Sequence, residues 1–124
     1  MAEKHSVTGF DEFTEFIKNF KSDKIVNVLF TGEKADGKSW CPDCNEAEGF
    51  VNDAIEKYAD NTVFVSVDVG NRETWKDLKN PFRTDKDTNL MVIPTLIRWK
   101  NPQRLEGDQL CKPELLQMFF TEED

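Results

Sequence analysis

Apolar positions in the first half of the chain follow two spacings, one typical of helices and one typical of buried strands. Apolar side chains recur every three or four residues over 9–20, behind a candidate N-cap at Thr8, and predict an amphipathic helix. The segments 25–30 and 63–69 are short, apolar and rich in β-branched residues, which predicts strands buried on both faces. Between them a second helical stripe begins at Pro42, a residue suited to the first turn of a helix.

The second half of the chain contains shorter predicted elements, which are separated by turn-forming residues. A short helix is predicted over 75–78, before the Asn-Pro pair at 80–81 interrupts it. The segment 93–99 predicts a third strand, and a tight turn then leads to a short fourth strand over 104–106. The chain closes with a predicted helix over 113–120, which again starts with proline.

The order of these elements predicts an α/β fold. The first strand, the helix after it and the second strand form a βαβ unit, which we expect to be parallel and right-handed. The last two strands can pair as a hairpin, so the central β-sheet is mixed, with helices on both faces. We therefore predict a three-layer α/β sandwich formed by residues 1–124 as a single domain.

Composition and charge narrow the function classes. The chain has 24 acidic and 16 basic residues, and its net charge of −8 disfavours nucleic acid and anionic membranes as partners, since both repel an acidic surface. No apolar run approaches the roughly 20 residues that span a bilayer, and the N-terminal stretch has no apolar signal core. We expect a cytoplasmic monomer that binds neither nucleic acid nor membrane.

The strongest chemical signal is the stretch Trp40-Cys41-Pro42-Asp43-Cys44, where the second predicted helix begins. A cysteine at a helix N-terminus meets unpaired backbone N–H groups and the positive end of the helix dipole, and both favour the thiolate over the thiol. Cys41 is therefore the candidate nucleophile. Cys44 follows three residues later on the same helical face and is the candidate resolving thiol.

Two other interpretations of this motif stay open, a metal site and a pair of ordinary buried thiols. A structural zinc site needs four ligands, and beyond the pair the chain offers only Cys111, His5 and carboxylates. An iron–sulfur cluster would need more thiolates than the three cysteines supply. The sparse cysteines, and the position of the motif between a strand and a helix, favour redox chemistry with no metal. We expect Cys111 to be a small buried apolar residue.

The Trp-Cys-x-x-Cys motif is followed further along the chain by Ile93-Pro94-Thr95. Together the two motifs resemble the thioredoxin superfamily, and the resemblance covers nearly the whole chain. It implies a thioredoxin-like fold with a cis peptide bond before Pro94, beside the dithiol. It also implies that Trp40, Ile93, Pro94 and Thr95 border the groove that receives the substrate.

Several stretches resemble one branch of that superfamily more closely, the thioredoxin domain-containing protein 17 branch: 30–32, 37–44, 75–77 and 94–96. This resemblance implies a cytosolic disulfide reductase without a bound cofactor, whose redox-active disulfide joins Cys41 and Cys44. Thioredoxin reductase would recharge it with electrons from NADPH. The resemblance further implies small disulfide substrates such as cystine, peroxidase activity, a dynein light chain as partner and a role in TNF and NF-κB signalling. The alternative is a regulatory binding module on a thioredoxin scaffold, with an incidental dithiol.

Three features depart from ordinary thioredoxin. Pro42 and Asp43 occupy the positions between the cysteines as candidate redox-tuning residues, and the Asp43 carboxylate should oppose a second anion nearby. Leu29 stands where the resemblance implies a proton-relaying aspartate, so the proton of Cys44 must pass to water or to another acid, for which Asp43 is a candidate. The segment 32–39 is an insert, which we expect to restrict access for large disulfide proteins.

Overall fold

The computed structural model describes residues 2–122, which form seven strands, five α-helices and one 3₁₀ helix. The strands are β1 (Glu3–Thr8), β2 (Val26–Thr31), β3 (Lys34–Ala35), β4 (Lys38–Ser39), β5 (Val63–Asp68), β6 (Thr95–Arg98) and β7 (Arg104–Glu106). The helices are α1 (Gly9–Asn19), α2 (Pro42–Tyr58), α3 (Arg72–Lys76), α4 (Pro81–Thr84) and α5 (Pro113–Thr121), and a 3₁₀ helix spans Gly107–Cys111. None of the helices within 2–122 has both the length and the apolar composition needed to cross a membrane.

The central sheet is mixed, as predicted. Its strand order is β1-β5-β2-β6-β7, and β3 and β4 form a separate two-stranded hairpin. β5 runs parallel to both β1 and β2, whereas β6 runs antiparallel to β2 and β7 antiparallel to β6. The parallel β2-α2-β5 passage and the β6-β7 hairpin, both expected from the order of elements, are confirmed.

Alternate side chains of the central strands enter two separate cores, one on each face of the sheet. On one face Val28 and Phe30 of β2 pack with Phe13 of α1 and with Trp75 and Phe82 of the two short helices. On the other face the remaining strand residues pack against α2 and α5. The helices therefore cover both faces, and the three-layer α/β arrangement is confirmed.

Besides the β3-β4 hairpin, the structure contains three elements that the sequence pattern did not predict. β1 pairs with β5 at the edge of the sheet, and Val7 is its only buried residue, so its apolar pattern is too weak to detect. α4 begins at Pro81 because the Asn80 side chain accepts the N–H of Phe82 as an N-cap, where the Asn-Pro pair was expected only to end a helix. The third is the 3₁₀ helix before α5.

Two segments bring their residues to the same end of the sheet. β2 ends at Thr31 and leads through the β3-β4 hairpin into the first turn of α2, where the cysteines lie. β6 begins at Thr95, two residues later than predicted, and Thr95 pairs with Phe30 near the end of β2. The Ile93–Pro94 segment, which directly precedes β6, therefore reaches the first turn of α2.

Candidate functional site

The first turn of α2 begins at the first cysteine of the motif. Cys41 is the N-cap, and Pro42 is the first helical residue, a position where its missing N–H group leaves no hydrogen bond unmade. Cys41 Sγ accepts the backbone N–H of Cys44 at 3.2 Å, and the backbone N–H of Cys41 donates to Ser39 Oγ at 3.1 Å. The sulfur of Cys41 therefore lies at the N-terminus of α2, at the positive end of the helix dipole.

The second cysteine is buried as deeply as the first: Cys44 is 3% exposed and Cys41 5% exposed. Burial raises the pKa of the Cys44 thiol, and the hydrogen bond with Cys41 and the charges of Cys41 and Asp43 add to the rise, against a smaller opposing effect of the Gly32 backbone. Both cysteines are free thiols. Cys41 Sγ caps α2, and burial favours the neutral thiol at Cys44.

The segment before β6 lies beside the first cysteine. The Ile93–Pro94 peptide bond is cis, as the family resemblance implied. The Ile93 carbonyl oxygen is 4.0 Å from Cys41 Sγ. Thr95 is fully buried, and its hydroxyl donates to the Val92 carbonyl at 2.7 Å. Its side chain therefore supports this segment from inside, while the backbone of Ile93 faces the sulfur.

The remaining predicted site residues flank the motif. Trp40 is half-buried, and its indole N–H donates to the Gly70 carbonyl at 2.9 Å, which fixes the ring. Pro42 and Asp43 are exposed in the first turn of α2. Asp43 affects the dithiol through its charge, as one of the groups that raise the pKa of Cys44.

The insert is ordered as the β3-β4 hairpin. Its turn is formed by Asp36 and Gly37, which both have positive φ angles, 54° and 79°, as a tight two-residue hairpin turn requires. The base of the hairpin is hydrogen-bonded to the motif, since the backbone N–H of Trp40 donates to the Glu33 carbonyl at 3.3 Å. The Glu33 N–H in turn donates to the Gly70 carbonyl at 3.0 Å. The segment predicted as an insert is therefore a structured neighbour of the dithiol.

Three residues that support the motif were missed by the sequence analysis. Asn45 accepts the N–H of Ser39 at 2.9 Å and donates to the carbonyl of Ser39 at 2.7 Å, which joins α2 to the hairpin. Ser39 Oγ donates to the Gly32 carbonyl at 2.9 Å in addition to accepting the Cys41 N–H. Gly32 lies so close to Trp40 that a Cβ atom would be 2.8 Å from the indole ring. Only their nearness to the motif in sequence could have indicated this role.

Comparison with known proteins identifies the family. The sequence model of the family described as "Thioredoxin domain-containing protein 17-like, thioredoxin domain" matches residues 6–122. The chain belongs to this family. The thioredoxin domain-containing protein 17 of Homo sapiens is 37% identical over 122 residues, which cover 98% of this chain and 97% of the relative. The mouse protein of the same name is 36% identical over the same length, with the same shares of both chains.

This thioredoxin domain-containing protein 17-like chain is also similar to a plant protein and to solved thioredoxin structures. The "Thioredoxin-like protein Clot" of Arabidopsis thaliana is 33% identical over 110 residues, which cover 81% of this chain and 82% of the relative. A solved thioredoxin of Schistosoma mansoni superposes with a TM-score of 0.57 at 20% identity, covering 96% of this chain and 99% of its own. A Malassezia sympodialis thioredoxin gives the same TM-score and identity over 94% and 87%. These structures confirm the thioredoxin-like fold.

Cys111 and His5, the other residues considered as metal ligands, each pack against apolar neighbours. Cys111 is partly buried against the core formed with α2 and α5. Burial raises the pKa of the Cys111 thiol, and the carboxylates of Glu46, Asp43 and Asp108 add to the rise. His5 lies in β1 and packs against phenylalanine rings at the end of α1. Within residues 2–122, no group of three or more His, Cys, Asp or Glu side chains is arranged to hold a metal ion.

Proposed function

We propose that this thioredoxin domain-containing protein 17-like chain is a disulfide reductase, with Cys41 as nucleophile and Cys44 as resolving thiol. One observation carries the proposal, the contrast between the two sulfurs. Cys41 Sγ caps α2 and accepts the N–H of Cys44, whereas burial of Cys44 favours its neutral thiol. A reductase needs this difference, because one sulfur attacks the substrate and the other stays protonated until the mixed disulfide has formed.

The reaction consists of two thiol–disulfide exchanges. The Cys41 thiolate attacks one sulfur of the substrate, the substrate S–S bond breaks, and the first substrate thiolate leaves with the bonding electron pair. The mixed disulfide then reacts with the Cys44 thiolate, which attacks Cys41 Sγ and releases the second substrate thiolate. The substrate gains two electrons, and the protein ends with a Cys41–Cys44 disulfide.

The surroundings of the dithiol support a restricted set of substrates. Met91 and Val92, which directly precede Ile93 in the chain, are 69% and 42% exposed and offer apolar surface to a substrate. Trp40 borders the site from the hairpin side. A small or well-exposed disulfide fits this setting, and cystine is the substrate that we propose for a first test.

The electron source follows from the same chemistry. The oxidised pair must be reduced before each new turnover, and we propose that thioredoxin reductase does this in the cytoplasm with electrons from NADPH. The protein itself then needs no bound cofactor other than the Cys41–Cys44 disulfide. Peroxidase activity, a dynein light chain partner and a role in TNF and NF-κB signalling stay predictions of the family resemblance.

A coupled assay tests the proposal. NADPH consumption is followed with catalytic thioredoxin reductase, cystine and this protein, and with Cys41→Ser as the matched control. We expect consumption that rises with the concentration of the parent protein and is absent with Cys41→Ser. No consumption by the parent protein, under conditions in which the same reductase reduces ordinary thioredoxin, would contradict the proposal and favour a binding module.

A further inference from the structure

A cleft of about 160 Å³ reaches the side chain of Cys44. Polar side chains line it from three elements and from the end of β2: Thr31, Lys34, Glu48, Asn52 and Ser66. Its apolar lining includes Leu29 of β2 and Pro94. A cleft of this volume has room for several water molecules, since one needs only about 10–15 Å³ of probe-occupied space. A cleft that can admit water therefore adjoins the resolving thiol.

The resolving step creates a need for a proton acceptor at this cleft. Only a thiolate attacks a disulfide, so Cys44 must lose its proton before it attacks Cys41 Sγ. Burial raises the pKa of Cys44, which makes this loss unfavourable without assistance. Leu29, one of the two β2 residues that line the cleft, is apolar and cannot accept a proton.

Glu48 is the carboxylate that lines the cleft. It follows Cys44 by four residues on α2, and side chains at this spacing are neighbours on one helical face, with about 5–6 Å between Cβ atoms. Lys34 Nζ of β3 donates to Glu48 Oε2, so the hairpin holds the carboxylate at the cleft and balances its charge. Asp43, by contrast, is exposed in the first turn and is not part of the cleft lining.

Among the residues that line the cleft, Glu48 is the one that can accept a proton as a carboxylate. From its own helix Cys44 faces the charges of Cys41 and Asp43. β2 and β5 contribute the uncharged side chains of Thr31 and Ser66, and the segment before β6 contributes a proline. The hairpin contributes the cation of Lys34, which stabilises a carboxylate and accepts no proton when charged.

We propose that Glu48 accepts the proton of Cys44 through water in this cleft, and that Lys34 is the positioning residue that holds Glu48 there. The proposal rests on the proposed reductase function and deepens it. In the mixed disulfide, the Cys44 proton passes through water to the Glu48 carboxylate. The Cys44 thiolate attacks Cys41 Sγ, the bond between Cys41 and the substrate breaks, and the substrate sulfur leaves with the electron pair. The Glu48 proton then returns to solvent.

Separate measurement of the two exchange steps tests this proposal. A symmetrical aromatic disulfide with a coloured thiol product releases one product when Cys41 attacks and a second when Cys44 resolves. Reduced protein and this reagent are mixed in equal amounts in a stopped-flow instrument, in a Cys111→Ala background that removes the third thiol. Glu48→Gln is compared with Glu46→Gln, which removes the same charge from an exposed position of the same helix outside the cleft lining.

We expect Glu48→Gln to leave the first phase unchanged and to slow the second phase at neutral pH by at least about tenfold. This lies below the 10²–10⁴ typical of a positioned general base, because solvent competes at a half-exposed carboxylate. The difference should narrow as the pH rises, since hydroxide replaces the lost acceptor. Glu46→Gln should resolve at about the parent rate. A merely structural role of Glu48 would not give a difference that disappears at alkaline pH.

Substitutions of Lys34 provide a second test, in which the expected decrease of the second-phase rate depends on the residue introduced. Lys34→Met should slow the second phase less than Glu48→Gln does, because the carboxylate remains but is no longer held, and Lys34→Arg should restore the rate. If Glu48→Gln and Glu46→Gln have equal second phases at every pH, or if Asp43→Asn alone slows this phase, the proposal is wrong. Failure of the reductase function is detected separately, because the parent protein would then cause no NADPH consumption in the coupled assay with cystine.

Discussion

At the scale of single residues, the dithiol depends on close contacts made by small neighbours. Gly32 lies at the end of β2 against the Trp40 ring, and Ser39 bonds both to the Gly32 carbonyl and to the N–H of Cys41. The Trp40 ring is itself fixed by its hydrogen bond to Gly70. A change at Gly32 therefore reaches the nucleophile through two neighbours at once.

We predict that Gly32→Ala destabilises the protein by about 1–3 kcal/mol, the usual effect of overpacking a filled site. The added Cβ would lie 2.8 Å from the Trp40 ring and 2.9 Å from Ser39 Oγ, so both side chains must shift. Turnover of a test disulfide should fall as well, because Ser39 holds the backbone of Cys41. Urea unfolding and the NADPH-coupled assay measure the two effects.

Gly49→Ala is the matched control for this variant. Gly49 lies in α2, and a Cβ there would meet nothing within 4 Å. Alanine is the better helix former, so Gly49→Ala should raise stability by about 0.5–1 kcal/mol and leave turnover unchanged. Equal stability losses in the two variants would show that the close contact at Gly32 is not the cause.

At the scale of elements, the β3-β4 hairpin forms the segment that was predicted to be an insert relative to ordinary thioredoxin. It is joined to Trp40 by a backbone hydrogen bond and to α2 through Asn45. We predict that replacing residues 33–38 by a short turn raises turnover of the protein disulfides that ordinary thioredoxin reduces. The physical reason is that a shorter connection leaves more room beside the dithiol for a folded substrate.

The measurement is the ratio of turnover with a protein disulfide to turnover with cystine. Shortening the hairpin also removes Lys34, so Lys34→Met, which keeps the full hairpin, is the control. The ratio should rise in the shortened protein and stay at the parent value in Lys34→Met. An unchanged ratio in the shortened protein would mean that the hairpin does not select substrates.

The elements that the sequence predicted are those with a strong apolar pattern or a strong local signal. The buried strands β2 and β5 and the helix α2 were predicted within about a residue at most boundaries, because their apolar residues fill the two cores. β1 was missed because Val7 is its only buried residue and its stability comes from backbone pairing with β5. Sequence periodicity does not report such pairing.

The same distinction applies to the candidate site. Cys41 and Cys44 could be predicted from their residue type and spacing, whereas the cis Pro94 beside them was implied by the family resemblance. The supporting contacts of Asn45 and the cleft lined by Glu48 could not, since ordinary polar residues take these roles only through the three-dimensional arrangement. The spacing of four residues between Cys44 and Glu48 was the one available signal.

At the scale of the whole molecule, the buried thiol links protein stability to pH. The pKa of Cys44 is raised in the folded state, whereas in the unfolded chain a thiol has a pKa of about 8.5. Folding therefore favours the protonated thiol. The contribution of Cys44 to the free energy of unfolding is fully present below about pH 8.5 and is lost as the pH rises above it.

We predict that the urea midpoint of the reduced protein decreases when the pH is raised from neutral to alkaline. The midpoint of the Cys44→Ala variant should decrease less over the same pH range. Both proteins should carry Cys111→Ala, because the pKa of the Cys111 thiol is also raised. Unfolding by urea in the presence of a reductant at several pH values gives the comparison. The same pH dependence in both proteins would show that Cys44 does not cause the loss of stability.

The central claim, that Cys41 attacks and Cys44 resolves, is tested most directly by trapping the mixed disulfide. Reduced Cys44→Ser and Cys41→Ser, both in the Cys111→Ala background, are mixed with one equivalent of a small disulfide and analysed by intact-protein mass spectrometry. The account predicts a stable adduct of one substrate half on Cys41 in the Cys44→Ser protein, and no adduct in the Cys41→Ser protein. An adduct in Cys41→Ser, or none in Cys44→Ser, would contradict it.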